Sequence, residues 1–161
     1  MKASIGNNST ASDEVFVGYN ILLRRIETEH PHHQLVLSAL IKLKEDGSSF
    51  YIATQNISEF WNVCTRPIEN NGLGISVEAT GRHLTRFERL FIRLTENEQV
   101  YLNWRDLVIG QKVIGVKVHD AKLVALMTVY RIDRLLTFNT KDFKRYAEIE
   151  AIDPAEVLEQ S

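Results

Sequence analysis

Short strand-like runs separated by long helical segments predict an α/β domain with a central, mainly parallel sheet of at least four strands covered by helices. Four runs have β-branched and aromatic character, and the stretches between them show helical spacing of apolar residues. The intervals suit crossover connections better than hairpins, which is what makes the sheet parallel. With 161 residues, 44% of them hydrophobic, the chain can bury one substantial core and is too short for two independent domains. One domain is expected over 15–158.

Residues 1–14, rich in Ser, Asn, Thr and Ala, carry too little apolar surface to order themselves and read as a disordered tail or as residues appended to the domain. The first strand is expected over 15–17. Leu35, Leu37, Leu40, Ile41 and Leu43 then form a mostly helical pattern that begins near Pro31, a residue suited to a first helical turn. The turn residues Gly47, Ser48 and Ser49 introduce a second strand over 50–54. Further helices are predicted over 57–65, 77–94, 99–113 and 120–130. Two more strands are expected over 134–138 and 149–152, with a break at 139–142 between them. No internal repeat or low-complexity block interrupts this order.

The formal charge is −2, from 21 acidic and 19 basic residues spread along the chain, so no net positive field attracts nucleic acid from a distance. Any such binding must be local. The single cysteine, Cys64, cannot form an internal disulfide, and residues 1–14 lack the apolar core of a secretory signal. A reducing cytoplasm is the expected location. No apolar stretch approaches the roughly 18–20 residues of a membrane span, so no membrane partner is expected.

Side chains just beyond the carboxyl ends of parallel strands converge on one edge of such a sheet. Glu59 lies a few residues after the second predicted strand, and Asn139 and Asp142 follow the third. Asp120 opens an otherwise apolar helical run. Clustered carboxylates repel one another, and a hard cation such as Mg²⁺ or Mn²⁺ is the natural compensation. The same residues also fit helix caps: 56–59 and 139–142 read as variant capping boxes, and Asp120 as an N-cap. Spacing alone favours the caps and does not decide the matter.

Other groups have simpler readings. The run His30-Pro31-His32-His33 invites a metal assignment, but adjacent histidines project about 100° apart on a helix, and a helix start explains the run better. Cys64 and Trp61 belong to a core or interface. Of the cations flanking the strand-end edge, Arg66 and Lys122 are the candidates for phosphate contacts. Tyr19 suits either a crevice or stacking on a base.

Four segments, taken in order, resemble PIN-domain ribonucleases, including the toxin nucleases of bacterial toxin–antitoxin pairs. They are Gln55-Asn56-Ile57-Ser58-Glu59-Phe60-Trp61, then Thr65-Arg66-Pro67 with Gly72-Leu73-Gly74, then 118–125, then 136–143. The resemblance runs from about Val15 to Val157. It implies a PIN-like three-layer α/β/α sandwich and four acidic positions that cleave RNA around Mg²⁺ or Mn²⁺. The matching positions are Gly18, Glu59, Asp120 and Asn139, with Asp142 adjacent. The family opens with Asp-Thr-Asn or Asp-Ser-Asn where this chain reads Gly18-Tyr19-Asn20, so the first metal carboxylate is absent. Asn139 offers a neutral oxygen, and Asp142 is placed to supply charge. The expected metal ligands are therefore Glu59, Asp120 and Asp142, with Asn139 joining them in the catalytic set.

The resemblance further implies RNA as substrate, an antitoxin protein as partner and a homodimer. The alternative is a PIN scaffold that has lost cleavage at Gly18 and binds RNA or protein instead.

Overall fold

The computed structural model describes residues 13–160. Five parallel strands form one sheet: β1 (Glu14–Val17), β2 (Ser49–Ala53), β3 (Ile92–Leu94), β4 (Arg134–Leu136) and β5 (Glu150–Ile152), in the order β3-β2-β1-β4-β5. The chain builds outward from β1 to β2 and β3, then returns to the other side of β1 with β4. The reversal sits between β1 and β4, and parallel α/β sheets place their sites in the crevice beyond the strand ends at that point.

The alternation of side chains along β1 sorts the core into two layers. Val15 and Val17 face α1 (Tyr19–Ile26), α2 (His33–Glu45), α3 (Thr54–Thr65) and α4 (Val77–Leu90), with Val157 of α7 (Pro154–Glu159) closing that side. Phe16 faces the opposite layer, α5 (Glu98–Gly110) and α6 (Val118–Val129). Ala121 and the run from Leu123 to Met127 are all buried, so α6 is the central helix of its layer, consistent with its apolar sequence. The result is the predicted three-layer α/β/α sandwich, with five strands. Among the described residues, no helix is long and apolar enough to cross a membrane.

Several expectations change in detail. The expected tail extended to residue 14, but Glu14 opens β1, and the Asp13 carbonyl accepts from the Ser49 amide. Residues 1–12 lie outside the described part. The helix expected over 77–94 stops at Leu90, and Ile92–Leu94 forms β3 instead. Leu84, Phe87, Phe91 and Leu94 continue a three-to-four-residue spacing straight across that boundary. Two short helices went unforeseen, α1 and α7. Isolated two-turn helices are marginal in water, and α1 forms because Ile21, Leu22 and Leu23 are buried against the sheet.

The histidine run joins α1 to α2 without resembling a ligand set. His32 stacks on Phe138 with ring centroids 5.0 Å apart, and a His33 ring nitrogen lies 2.8 Å from the Arg24 carbonyl. Cys64 is fully buried, and burial with the nearby Glu27 charge pushes its thiol up to about 12, which makes it an inert core group. Gly72 has a steric reason: a Cβ there would collide with the Arg66 backbone.

Candidate active site

At the switch point, Gly18 follows β1 and donates its amide to the Leu136 carbonyl at 3.0 Å, tying the ends of β1 and β4 together. The backbone at Gly18 has φ −70° and ψ 155°, an extended conformation open to any residue. On the β4 side, Thr137 is buried, and its hydroxyl oxygen accepts from Asn20 Nδ2 and from the Asn139 amide, each at 3.1 Å. Neighbouring strand ends are thus laced together by short polar side chains.

Two helices aim carboxylates into the space above this junction. Asn56 is fully buried, and its Oδ1 accepts the Ala53 amide at 2.7 Å, so Asn56 performs the start-of-helix capping that sequence had assigned to 56–59 as a unit. That leaves Glu59, one turn on, free of capping. Asp120 is not the N-cap either: α6 begins at Val118, with Lys117 in the cap position. The first turn of α6 is anchored by Trp104, whose indole N–H donates to the Val118 carbonyl at 2.9 Å. Gln55 then bridges the two helices, its Nε2 lying 2.9 Å from Glu59 Oε1 and 3.1 Å from the His119 carbonyl. No side-chain cap bond forms at Asn139, so the third proposed cap is also absent.

Glu59, Asp120, Asn139, Gly18, Tyr19 and Asn20 line one cavity of about 30 Å³. That volume holds an ion or one to two waters and excludes a nucleobase. Burial pushes the Asp120 carboxyl above the ordinary carboxylate range, the Asp142 and Glu59 charges push it further, and Lys117 pulls it back. The Tyr19 phenol is likewise raised by burial and by Glu59 and Asp120. A cation in the cavity would reverse all of these costs.

The remaining expected site residues are placed differently. Asp142 does not line the cavity; it is paired with Lys117 Nζ at 2.8 Å, and Lys117 also reaches Asp120 at 4.0 Å. Lys122 pairs with Glu96 at 3.0 Å beside a separate pocket between α5 and α6. Arg66 donates to the Asn71 carbonyl at 3.0 Å and braces its own loop. Sequence reasoning missed Lys117 as a partner of the acids and Gln55 as their bridge. Gln55, four residues before Glu59 in a helix, was a readable signal.

The donor set suits a hard divalent cation in kind. Glu59 and Asp120 are carboxylates, Asn139 carries an amide oxygen, and the buried Asn20 Oδ1 has no hydrogen-bond partner. It is short of charge: among the described residues, no three His, Cys, Asp or Glu side chains form a ligand cluster. Mg²⁺ needs only one or two protein carboxylates because it keeps several waters. The residues therefore fit a hydrated ion.

Because Asp120 is disfavoured as an anion in the fold, its folded pKa lies above its unfolded one, and ionisation costs stability as pH rises through that range. Asp120→Asn is expected to raise the melting temperature at pH 7 in chelator. The gain should vanish at about pH 3, where the carboxyl is protonated in both states. Melts at both pH values check the sign.

No family model matches the chain, and no curated protein matches it. Solved structures do. VapBC-1 from nontypeable Haemophilus influenzae superposes with a TM-score of 0.62 and 15% identity over 88% of this chain and 98% of that one. A toxin–antitoxin complex from Klebsiella pneumoniae gives 0.60 and 17% over 87% and 97%. VapC20 of Mycobacterium tuberculosis, a toxin that cleaves the sarcin–ricin loop, gives 0.56 and 14% over 80% and 92%. At such identities the likeness shows architecture, and the chain has the PIN-like α/β/α fold of these toxin structures.

Proposed function

We propose that this chain is a divalent-metal-dependent endoribonuclease of toxin type, working with a reduced set of carboxylates. The observation that carries the reading is the convergence of Glu59 and Asp120, from two different helices, on one ion-sized cavity at the switch point of the sheet. Glu59 and Asp120 would hold Mg²⁺ or Mn²⁺, with Asn139 and Asn20 offering neutral oxygens. When bound, the ion supplies Lewis acidity and a nucleophile at neutral pH.

The chain's own contribution is placement. Gln55 holds Glu59 against the start of α6, and Trp104 holds that start in position. Tyr19, kept neutral by its surroundings, can donate a hydrogen bond at the cavity wall. Asp142 acts through Lys117, outside the cavity, and completes the acidic edge. Under this reading the substrate is RNA, an antitoxin covers the edge, the chain pairs as a homodimer and the site of action is the cytoplasm.

A second reading has its own observation. Gly18 contributes no carboxylate where the resemblance expects one, and a PIN scaffold silenced there would bind RNA or protein without cutting. The two separate in one assay: wild type, Glu59→Gln and Asp120→Asn on single-stranded RNA, with Mn²⁺ and with chelator. The nuclease reading expects Mn²⁺-dependent cleavage by the wild type that falls about 100-fold or more in either variant. Absence of metal-dependent cleavage by a well-folded wild type would select the second.

A further inference from the structure

The chain is acidic overall, yet one face concentrates unpaired positive charge. At 100° per residue, Arg82, Arg86 and Arg89 fall within roughly 60° on α4. All three are exposed, and His83 lies between them and the buried stripe of Thr80, Phe87 and Phe91. Phe87 fixes the rotation of the helix by packing against Phe60 at 4.9 Å. Arg25, from α1, meets this stripe with its guanidinium 5.9 Å from the Phe87 ring.

The mutual effects of these groups are uniformly repulsive. Burial and Arg86 lower the Arg25 pKa, and burial with Arg86, Arg25 and Arg82 lowers that of His83. Among the described residues, no carboxylate is within ion-pair distance of Arg25, Arg82, Arg86 or Arg89. Glu78 shares the α4 stripe one turn before Arg82 and forms no pair. Like charges gathered at a partly buried position with no carboxylate paired to them cost the free chain stability, and a polyanion would recover it. Arg25 lies at the other end of α1 from Tyr19, roughly 9 Å of rise away, beside Ser49, Phe50 and Ile92 at the amino ends of β2 and β3, so the patch and the cavity occupy opposite edges of the sheet.

We infer that the α1–α4 face formed by Arg25, Arg82, Arg86 and Arg89 binds the phosphate backbone of single-stranded RNA, as a contact remote from the strand-end cavity. The inference takes its polyanion from the ribonuclease reading, and it is the local basic surface that a chain of charge −2 requires. Backbone contacts of this kind position a strand and carry no sequence preference.

The test is fluorescence anisotropy of a labelled single-stranded RNA on the full chain, in chelator to prevent cleavage, across a KCl series. Arg82→Glu/Arg86→Glu should weaken binding at least 10-fold and lower the salt slope by about 1.4, from two lost contacts on a single strand. Arg82→Gln/Arg86→Gln should move both quantities the same way by less. Arg105→Glu, exposed on α5 in the opposite layer, should bind as the wild type does. Thermal melts establish that each variant is folded. Wild-type affinity and slope in both double variants would overturn the inference, as would an equal loss in Arg105→Glu. So would tight binding of a polyglutamate peptide with none of RNA, which would assign the face to an acidic protein. Loss of binding in the double variants of a wild type that never cleaves would sink the nuclease reading and leave this surface standing.

Discussion

Phe60→Ala is expected to destabilise the protein by about 3–5 kcal/mol, the range for removing a fully buried phenylalanine. Phe60 is completely buried on α3, with its ring edge-on to Phe87 at 4.9 Å and 73°. Truncation removes that aromatic pair and leaves a void, because Phe87 is itself packed beside Phe91 and cannot move in freely. For a chain of this length, such a loss lowers the melting temperature by roughly 10 °C or more. Phe60→Leu, which keeps most of the volume, should lose less than half as much. Urea unfolding of the three proteins, with unchanged slope, measures the difference. Phe60 directly follows Glu59, so the surviving folded fraction of Phe60→Ala should also bind Mn²⁺ less tightly. An effect below about 1 kcal/mol would mean that α3 and α4 are not packed as described.

The sheet and its covering layers were legible because burial imposes periodicity. The β1 run of Val15, Phe16 and Val17 and the apolar run of α6 announce elements buried on every side. The β3 edge strand was not legible. Three residues make too short a pattern to compete with a helical spacing running through Phe87 and Phe91, and what makes Ile92–Leu94 a strand is pairing with β2, a contact distant in sequence. The same holds for α1, whose stability comes from tertiary burial of Ile21, Leu22 and Leu23.

At the site, the acids were visible and their working arrangement was not. Glu59 and Asp120 were identifiable as strand-end acids, but spacing could not separate ligand from cap. Asn56 removes the capping role from Glu59, since one buried amide already does the capping. For Asp120, the helix begins two residues earlier than its capping role required. Asp142 shows the opposite limit: its distance along the chain from Asn139 suggested a shared cavity, whereas the ion pair with Lys117, 25 residues away, turns it toward α6. Such an ion pair, between two exposed groups, is too weak to be written into local sequence.

Gly18→Asp is expected to raise Mn²⁺ affinity by about 10-fold or more and to create or increase Mn²⁺-dependent cleavage of RNA. The backbone permits the change, because φ is −70° and no left-handed conformation has to be relieved. Space is tight but present: a Cβ would sit 3.3 Å from the Leu136 carbonyl oxygen, 3.4 Å from Asn20 Oδ1 and 3.5 Å from Thr137 Cβ. The new carboxylate would join Glu59 and Asp120 at the cavity wall, where partial burial strengthens its attraction for a hard divalent ion. Without metal the same change should lower the melting temperature at pH 7, since a third anion then repels two others. With Mn²⁺ the order should reverse, the shift growing with metal concentration as linkage requires. Gly18→Asn, matched in shape and uncharged, separates charge from packing and should gain little affinity. Gly18→Asp/Asp120→Asn should lose both the added affinity and the added cleavage, because the ion would again face only two carboxylates. Equal Mn²⁺ affinity in the wild type and a well-folded Gly18→Asp would show that position 18 is not the missing ligand, and strong cleavage by the wild type alone would show that the site never needed one there.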